Sequence, residues 1–174
     1  GQELVNVKYR DGRKNFKLYK GAEKVFYNID SIVGHGFCVI VEGEMDVLAL
    51  HEAGIENAIS VPNGATLNHN NLDYLDNCID YFIDMEKVII AVDNDTAGEA
   101  LRQELIRRLG AEVCYLVDFG EYKDSNDYLI GEGKEALMDV IAKAKQVPLE
   151  NVTTFRDVEG EIEDFVKNGF KPGF

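Results

Sequence analysis

Val88-Ile89-Ile90-Ala91-Val92-Asp93-Asn94-Asp95 decides the fold class. Its five apolar residues, mostly β-branched, run unbroken into two carboxylates, as in a strand covered on both faces that ends at a charged loop. On the C-terminal side the spacing predicts a helix from Ala97 to Leu109. Arg102, Glu104, Arg107 and Arg108 lie on its exposed face and Gly110 is its stop. A strand over Glu112–Val117 follows, then a helix over Lys134–Lys145 ended by Pro148. On the N-terminal side, Cys38–Val41 is a short fully apolar run. A helical pattern follows through Met45, Leu48, Ala49 and His51, stopped at Gly54. Asn57–Val61 reads as another strand, and Asn68–Asp84 as a helix with Leu72, Leu75, Ile79 and Phe82 along one side. Strands alternating with helices imply an α/β fold with a sheet of about four strands, mostly parallel, joined by right-handed crossovers.

Residues 4–27 differ in character. Polar and apolar residues alternate through Val5, Val7 and Tyr9 and again through Phe16 and Leu18, with Asp11-Gly12 between, which signals a hairpin. A last helix is expected over Asp157–Lys167, with Gly169 as its stop. It reads as a linker. The division is thus a basic β-rich segment, 1–36, an α/β domain, 37–147, and a linker, 148–174.

With 174 residues, 45% of them hydrophobic, the chain can bury one core of ordinary size but not two. The net charge of −14 argues on average against a nucleic-acid partner, since phosphate is held by Lys and Arg clusters. The average misleads here. Residues 1–30 carry seven basic side chains (Lys8, Arg10, Arg13, Lys14, Lys17, Lys20, Lys24) against four acidic ones (Glu3, Asp11, Glu23, Asp30). A basic arm therefore stands beside an acidic body, a pattern shared by phosphate-binding arms and ordinary solvated faces. Cys38, Cys78 and Cys114 are widely spaced in largely apolar runs, as buried thiols of a reducing compartment. No stretch approaches the roughly 20 apolar residues of a membrane helix, so a cytoplasmic protein is expected.

Three acidic clusters fall where predicted strands end: Glu42-Gly43-Glu44-Met45-Asp46, Asp93-Asn94-Asp95, and Lys123-Asp124-Ser125-Asn126-Asp127. Crevices beyond the carboxyl ends of parallel strands gather ligands, and hard divalent cations favour oxygen donors. Glu42, the last residue of its strand, is a costly place for an unpaired charge, and Asp46 lies one helical turn on. Gly43 is expected to let the backbone turn sharply between them. Glu44 suits a helix N-terminus for dipole reasons alone. Asp93 and Asp95, two apart, would project to one side of an extended chain, where a divalent ion relieves their repulsion. Asp-x-Asp after an apolar strand also occurs in haloacid-dehalogenase phosphatases, but those continue to Thr or Val where this chain has Ala97. The third cluster, alone, is a polar turn that caps a helix. Its place at the same sheet edge makes Asp124, and less so Lys123, site candidates.

Glu-Gly-Glu-Met-Asp after an apolar strand, Val-Asp-Asn-Asp-x-Ala-Gly about fifty residues later, and Lys-Asp-Ser-Asn-Asp near residue 125 together resemble the TOPRIM domain of DnaG-type primases. The similarity is greatest to the primase half of bacteriophage and plasmid primase-helicases. It implies Mg²⁺- or Mn²⁺-dependent synthesis of RNA primers from ribonucleoside triphosphates on a single-stranded DNA template. By that resemblance Glu42, Asp93 and Asp95 are catalytic, and Glu42, Asp46, Asp93, Asp95 and Asp124 hold metal. Lys8, Arg10, Arg13, Lys14, Lys17 and Lys123 would hold template or triphosphate. The sequence contains neither a four-cysteine zinc module nor a Gly-x-x-x-x-Gly-Lys-Ser/Thr loop. It is accordingly expected to be an excised piece, weakly active or inactive alone, whose partners include zinc-binding and helicase modules. A TOPRIM nuclease and a non-catalytic docking domain of a replication protein are the competing readings.

Overall fold

The computed structural model describes residues 4–13, 15–63 and 72–148. Two short strands, β1 (Lys8–Arg10) and β2 (Phe16–Leu18), form the expected antiparallel hairpin, with Arg10 opposite Phe16 and Lys8 opposite Leu18. Asp11 closes its turn by accepting the N–H groups of Arg13 and Asn15 at 2.8 and 2.9 Å. A 3-10 turn, Ile29–Ile32, precedes the alternating part of the chain. That part runs β3 (Phe37–Val41), α1 (Glu44–Glu52), β4 (Ala58–Ser60), α2 (Asp73–Asn77), β5 (Lys87–Ile90) and α3 (Thr96–Leu109). It continues with β6 (Cys114–Leu116), α4 (Ser125–Glu132), α5 (Lys134–Ala142) and β7 (Lys145–Gln146).

The sheet has the order β4-β3-β5-β6-β7, parallel throughout except for β7. Alternation along the apolar runs sends successive side chains to opposite faces. Cys38, Ile40, Val88, Ile90 and Cys114 join Leu75, Leu101 and Leu105 on one side. Val39, Val41, Ile89 and Ala91 join Val47, Leu50, Leu137 and Ile141 on the other. Helices thus cover both faces, which is why these strands read as continuous apolar runs. Phe26, Ile29 and Ile32, from the segment before the sheet, enter the first core, where the Phe26 ring meets Tyr74 edge-on at 4.9 Å.

Three elements differ from expectation. The helix anticipated over Asn68–Asp84 is broken: α2 ends at Asn77 and a tighter 3-10 turn spans Ile79–Phe82, which lets both Leu75 and Phe82 reach the core. Asn68–Asn71 lie outside the described residues, as does the anticipated linker helix Asp157–Lys167. A separate helix, α4, begins within the third cluster, with Asp124 as its N-cap. The helix expected to reach Lys145 stops at Ala142, and Lys145–Gln146 instead pair antiparallel with β6. The open sheet edge supplies partners that helix continuation cannot match: Val147 N donates to Cys114 O at 3.0 Å and Gln146 Nε2 to Glu112 O at 2.7 Å.

On α3, Glu104 accepts two hydrogen bonds from Arg107, at 2.7 and 2.8 Å, and one from Arg108 at 2.8 Å. Arg108 also reaches Asp76 beside α2 at 3.0 Å. These guanidinium bonds pull the Glu104 carboxyl down to about 2. A depressed carboxylate contributes stability above its ordinary range and loses it as pH falls through the folded value. Glu104→Gln should therefore lower stability at pH 7 by about 1 kcal/mol, discounted for partial exposure. The deficit should shrink steadily below pH 4.5 in urea titrations. A deficit that does not change with pH would show that packing, not charge, holds α3.

Candidate active site

The β3–α1 turn, the β5–α3 turn and the β6–α4 connection converge beyond the carboxyl ends of the parallel strands, and hydrogen bonds join all three. Asp93 N donates to Glu42 Oε1 at 3.0 Å, linking the first two clusters. Asn126 N donates to Asp46 Oδ1 at 3.1 Å, linking the first and third. Asn94 N donates to Lys123 O at 2.9 Å, linking the second and third. Each bond satisfies a backbone group that would otherwise be orphaned where a strand or helix gives out. The result is a cleft of about 470 Å³ lined by Glu42, Gly43, Asp46, Asp93, Lys123 and Asp124 together with Lys8, Phe16, Lys17 and Leu18 of the hairpin.

Asp46 is buried, and desolvation, followed by repulsion from Asp124, pushes its carboxyl up to about 7. Asp93 is also buried. Desolvation raises its carboxyl, and the hydrogen bond from the Lys123 ammonium works in the opposite direction. The Lys123 ammonium pairs with Asp93 Oδ2 and stands 4.0 Å from Asp124 Oδ2, and these partners raise its pKa. Three carboxylates facing one another thus have a single ammonium between two of them. Among the described residues, no three His, Cys, Asp or Glu side chains are drawn together tightly enough to form a ready metal cage. The donor set nevertheless fits a hard cation: all oxygens, partly desolvated, mutually repelling, with a positive charge already between Asp93 and Asp124.

The other site candidates are placed as follows. Asp95 does not line this cleft. The chain bends at Asn94 and Asp95, and Asp95 Oδ1 caps α3 by accepting Ala97 N and Gly98 N, both at 2.9 Å. Asp95 itself keeps extended angles (φ −135°, ψ 178°), but two helical N–H groups claim its carboxylate. Asp124 likewise caps α4 through Asp127 N at 2.8 Å, yet it also borders the cleft. Lys8 ion-pairs with Glu44 at 2.6 Å and so ties the hairpin to α1. Lys17 lines the cleft, Arg10 and Arg13 are exposed on the hairpin, and Lys14 lies outside the described residues.

Two glycines matter for reasons the sequence does not disclose. Gly43 adopts ordinary extended angles (φ −123°, ψ 153°), so it is not needed for a turn; a Cβ there would meet Asp46 Oδ2 at 3.0 Å. Gly98, in the first turn of α3, leaves no room at all. A Cβ would overlap the Asp93 carbonyl and sit 2.7 Å from Glu42 Oε1. The Ala-Gly that ends the second motif is the signal that could have pointed to it.

The Toprim-like family profile matches residues 39–129, the stretch that holds all three clusters. This chain belongs to the Toprim-like family. Among its relatives is the primase homolog protein of Arabidopsis thaliana, 37% identical over 166 residues, which cover 86% of this chain and 49% of the relative. Another is the Twinkle homolog protein, chloroplastic/mitochondrial, of the same plant, 33% identical over 94% of this chain and 25% of that protein. The chain therefore spans about half the length of the first and a quarter of the second. The crystal structure of the primase fragment of the bacteriophage T7 primase-helicase protein shares the fold. Its TM-score is 0.68 at 24% identity, over 79% of this chain and 56% of that one. The Toprim-like assignment places β3 through the start of α4 in one family unit. Among the described residues no helix is long and apolar enough to cross a membrane.

Proposed function

We propose that this chain is the catalytic core of a DNA primase of the primase-helicase kind, making RNA primers on single-stranded DNA by nucleotidyl transfer. The observation that carries the reading is the single cleft in which all three acidic clusters meet a basic hairpin. In the reaction a primer 3′-hydroxyl attacks the α-phosphate of an incoming ribonucleoside triphosphate and pyrophosphate leaves in line. Glu42, Asp46, Asp93 and Asp124 would hold Mg²⁺ or Mn²⁺, with Asp95 contributing through the oxygen its cap does not use. The bound ion would activate the attacking hydroxyl and neutralise charge developing on phosphate.

The protein's own groups do the rest. Asp93 N–H fixes the Glu42 carboxylate, and Asn126 N–H fixes that of Asp46, so neither has to be ordered when substrate arrives. Lys123 keeps Asp93 paired until a stronger cation or a phosphate competes for it; its side chain, 59% exposed, is free to swing toward triphosphate. Lys8, Arg10, Arg13, Lys14 and Lys17 supply positive charge for template or triphosphate, since a carboxylate floor alone repels phosphate. Residues 1–36 would then form part of the primase RNA-polymerase region, 37–147 the TOPRIM domain, and 148–174 a linker. Zinc-binding and helicase modules are proposed partners on the same grounds. The three free cysteines are buried, with the Cys38 thiol pushed up to about 12 by desolvation. That suits the cytoplasm or, as in the Twinkle homolog's name, a chloroplast or mitochondrion.

The test is template-dependent extension. With single-stranded DNA, ribonucleoside triphosphates and Mg²⁺, labelled oligoribonucleotides should accumulate, in this chain or in the longest natural protein that carries it. Decay of the DNA without nucleotide incorporation would replace the reading with a nuclease, which could use the same carboxylates with water as nucleophile.

A further inference from the structure

Phe16 is an aromatic ring that the core does not use. It lies on β2, cross-strand from Arg10, and is 54% exposed. Single exposed apolar side chains are ordinary and by themselves signify nothing. Two features set Phe16 apart. It lines the cleft that Glu42, Asp46, Asp93 and Asp124 also line. Two cations also lie over the ring: Lys8 Nζ is 4.9 Å from its centroid and the Arg10 guanidinium 5.6 Å. Lys8 is held in place by Glu44 at 2.6 Å, so one of these cations is positioned in advance.

An aromatic face amid fixed positive charge is what an unpaired nucleic-acid strand requires, because the backbone follows the cations and the bases stack on the rings. We propose that Phe16 is the stacking platform for a base of single-stranded nucleic acid in this cleft, with Lys8 and Arg10, on the same face of the hairpin, taking the flanking phosphates. This rests on the nucleic-acid reading above and adds a residue that no charge argument would find. Every base has a π-face, so Phe16 confers grip without sequence preference.

The chain has no tryptophan, so Phe16→Trp installs a lone indole reporter. Its fluorescence should be quenched by oligo(dT) and unchanged by an abasic strand with the same number of phosphates. Phe16→Ala should weaken oligo(dT) binding roughly five- to hundredfold while leaving the abasic strand and the salt slope unaffected. Arg10→Ala should instead shallow the slope by about one unit or less. Tyr9, similarly exposed but on the opposite face of the hairpin, is the control, and Tyr9→Ala should change nothing. Unaltered oligo(dT) binding by Phe16→Ala, an unquenched Phe16→Trp, or an equal loss in Tyr9→Ala each overturns the proposal and leaves the primase reading standing. If the wild-type chain binds neither strand, the nucleic-acid reading falls and takes the proposal with it.

Discussion

Glu42→Gln and Asp93→Asn are each expected to reduce primer synthesis roughly a hundredfold or more, with the fold intact. Both changes keep size and remove charge. In Glu42→Gln the amide oxygen can still accept Asp93 N–H, the 3.0 Å bond that joins the first two clusters, so local geometry survives. In Asp93→Asn the Lys123 ammonium loses its nearer partner but keeps Asp124 at 4.0 Å, and the side chain, 59% exposed, relaxes into water at little cost. Repulsion on Asp46 falls at the same time, because Asp93 is one of the charges that raise its pKa. Metal-free stability should therefore hold or rise slightly, and the rise in melting temperature produced by Mn²⁺ in the wild type should vanish. Rates in extension assays and thermal melts with and without Mn²⁺ measure both sides. Near-normal synthesis by a well-folded Asp93→Asn would remove the active-site assignment and favour the docking-domain reading.

Gly98→Ala should destabilise the protein by about 1–3 kcal/mol and impair synthesis with it. The sign is the informative part. Replacing glycine by alanine inside a helix ordinarily stabilises by roughly 0.5–1 kcal/mol, because glycine loses more backbone entropy on folding. Here the added methyl overlaps the Asp93 carbonyl and sits 2.7 Å from Glu42 Oε1. Backbone cannot yield as a flexible side chain can, so either α3 shifts away from β5 or the Glu42 carboxylate leaves its N–H donor. Urea midpoints of Gly98→Ala and wild type decide the matter. A midpoint at or above wild type would mean that α3 is not seated against the Asp93 turn as described.

The sheet was legible because burial leaves a direct mark on composition. A strand covered on both faces must be apolar at every position, so Cys38–Val41 and Val88–Val92 could be located without coordinates, as could the hairpin around Asp11-Gly12. The edge strand at Lys145–Gln146 left no such mark. It pairs through backbone groups and exposes its side chains, and nothing in Lys-Gln distinguishes it from a helix end. The break at Cys78 was hidden for a related reason: a tighter turn keeps Leu75 and Phe82 on the core while preserving a pattern that also fits one long helix.

For the site, residue order alone showed which acids stand at strand ends, and parallel topology brings those ends to one edge. It could not apportion their work. Asp93 and Asp95 are chemically identical and two residues apart, yet one is buried against Lys123 and the other is spent on two helical N–H groups. That division depends on where α3 begins in space. Likewise Asp46 is buried, and it meets an N–H donor, that of Asn126 in α4, from 80 residues along the chain. Local pattern fixes residue type and strand end. Desolvation, pairing and the exclusion of a Cβ at Gly98 arise from contacts between distant segments, and only the tertiary structure supplies those.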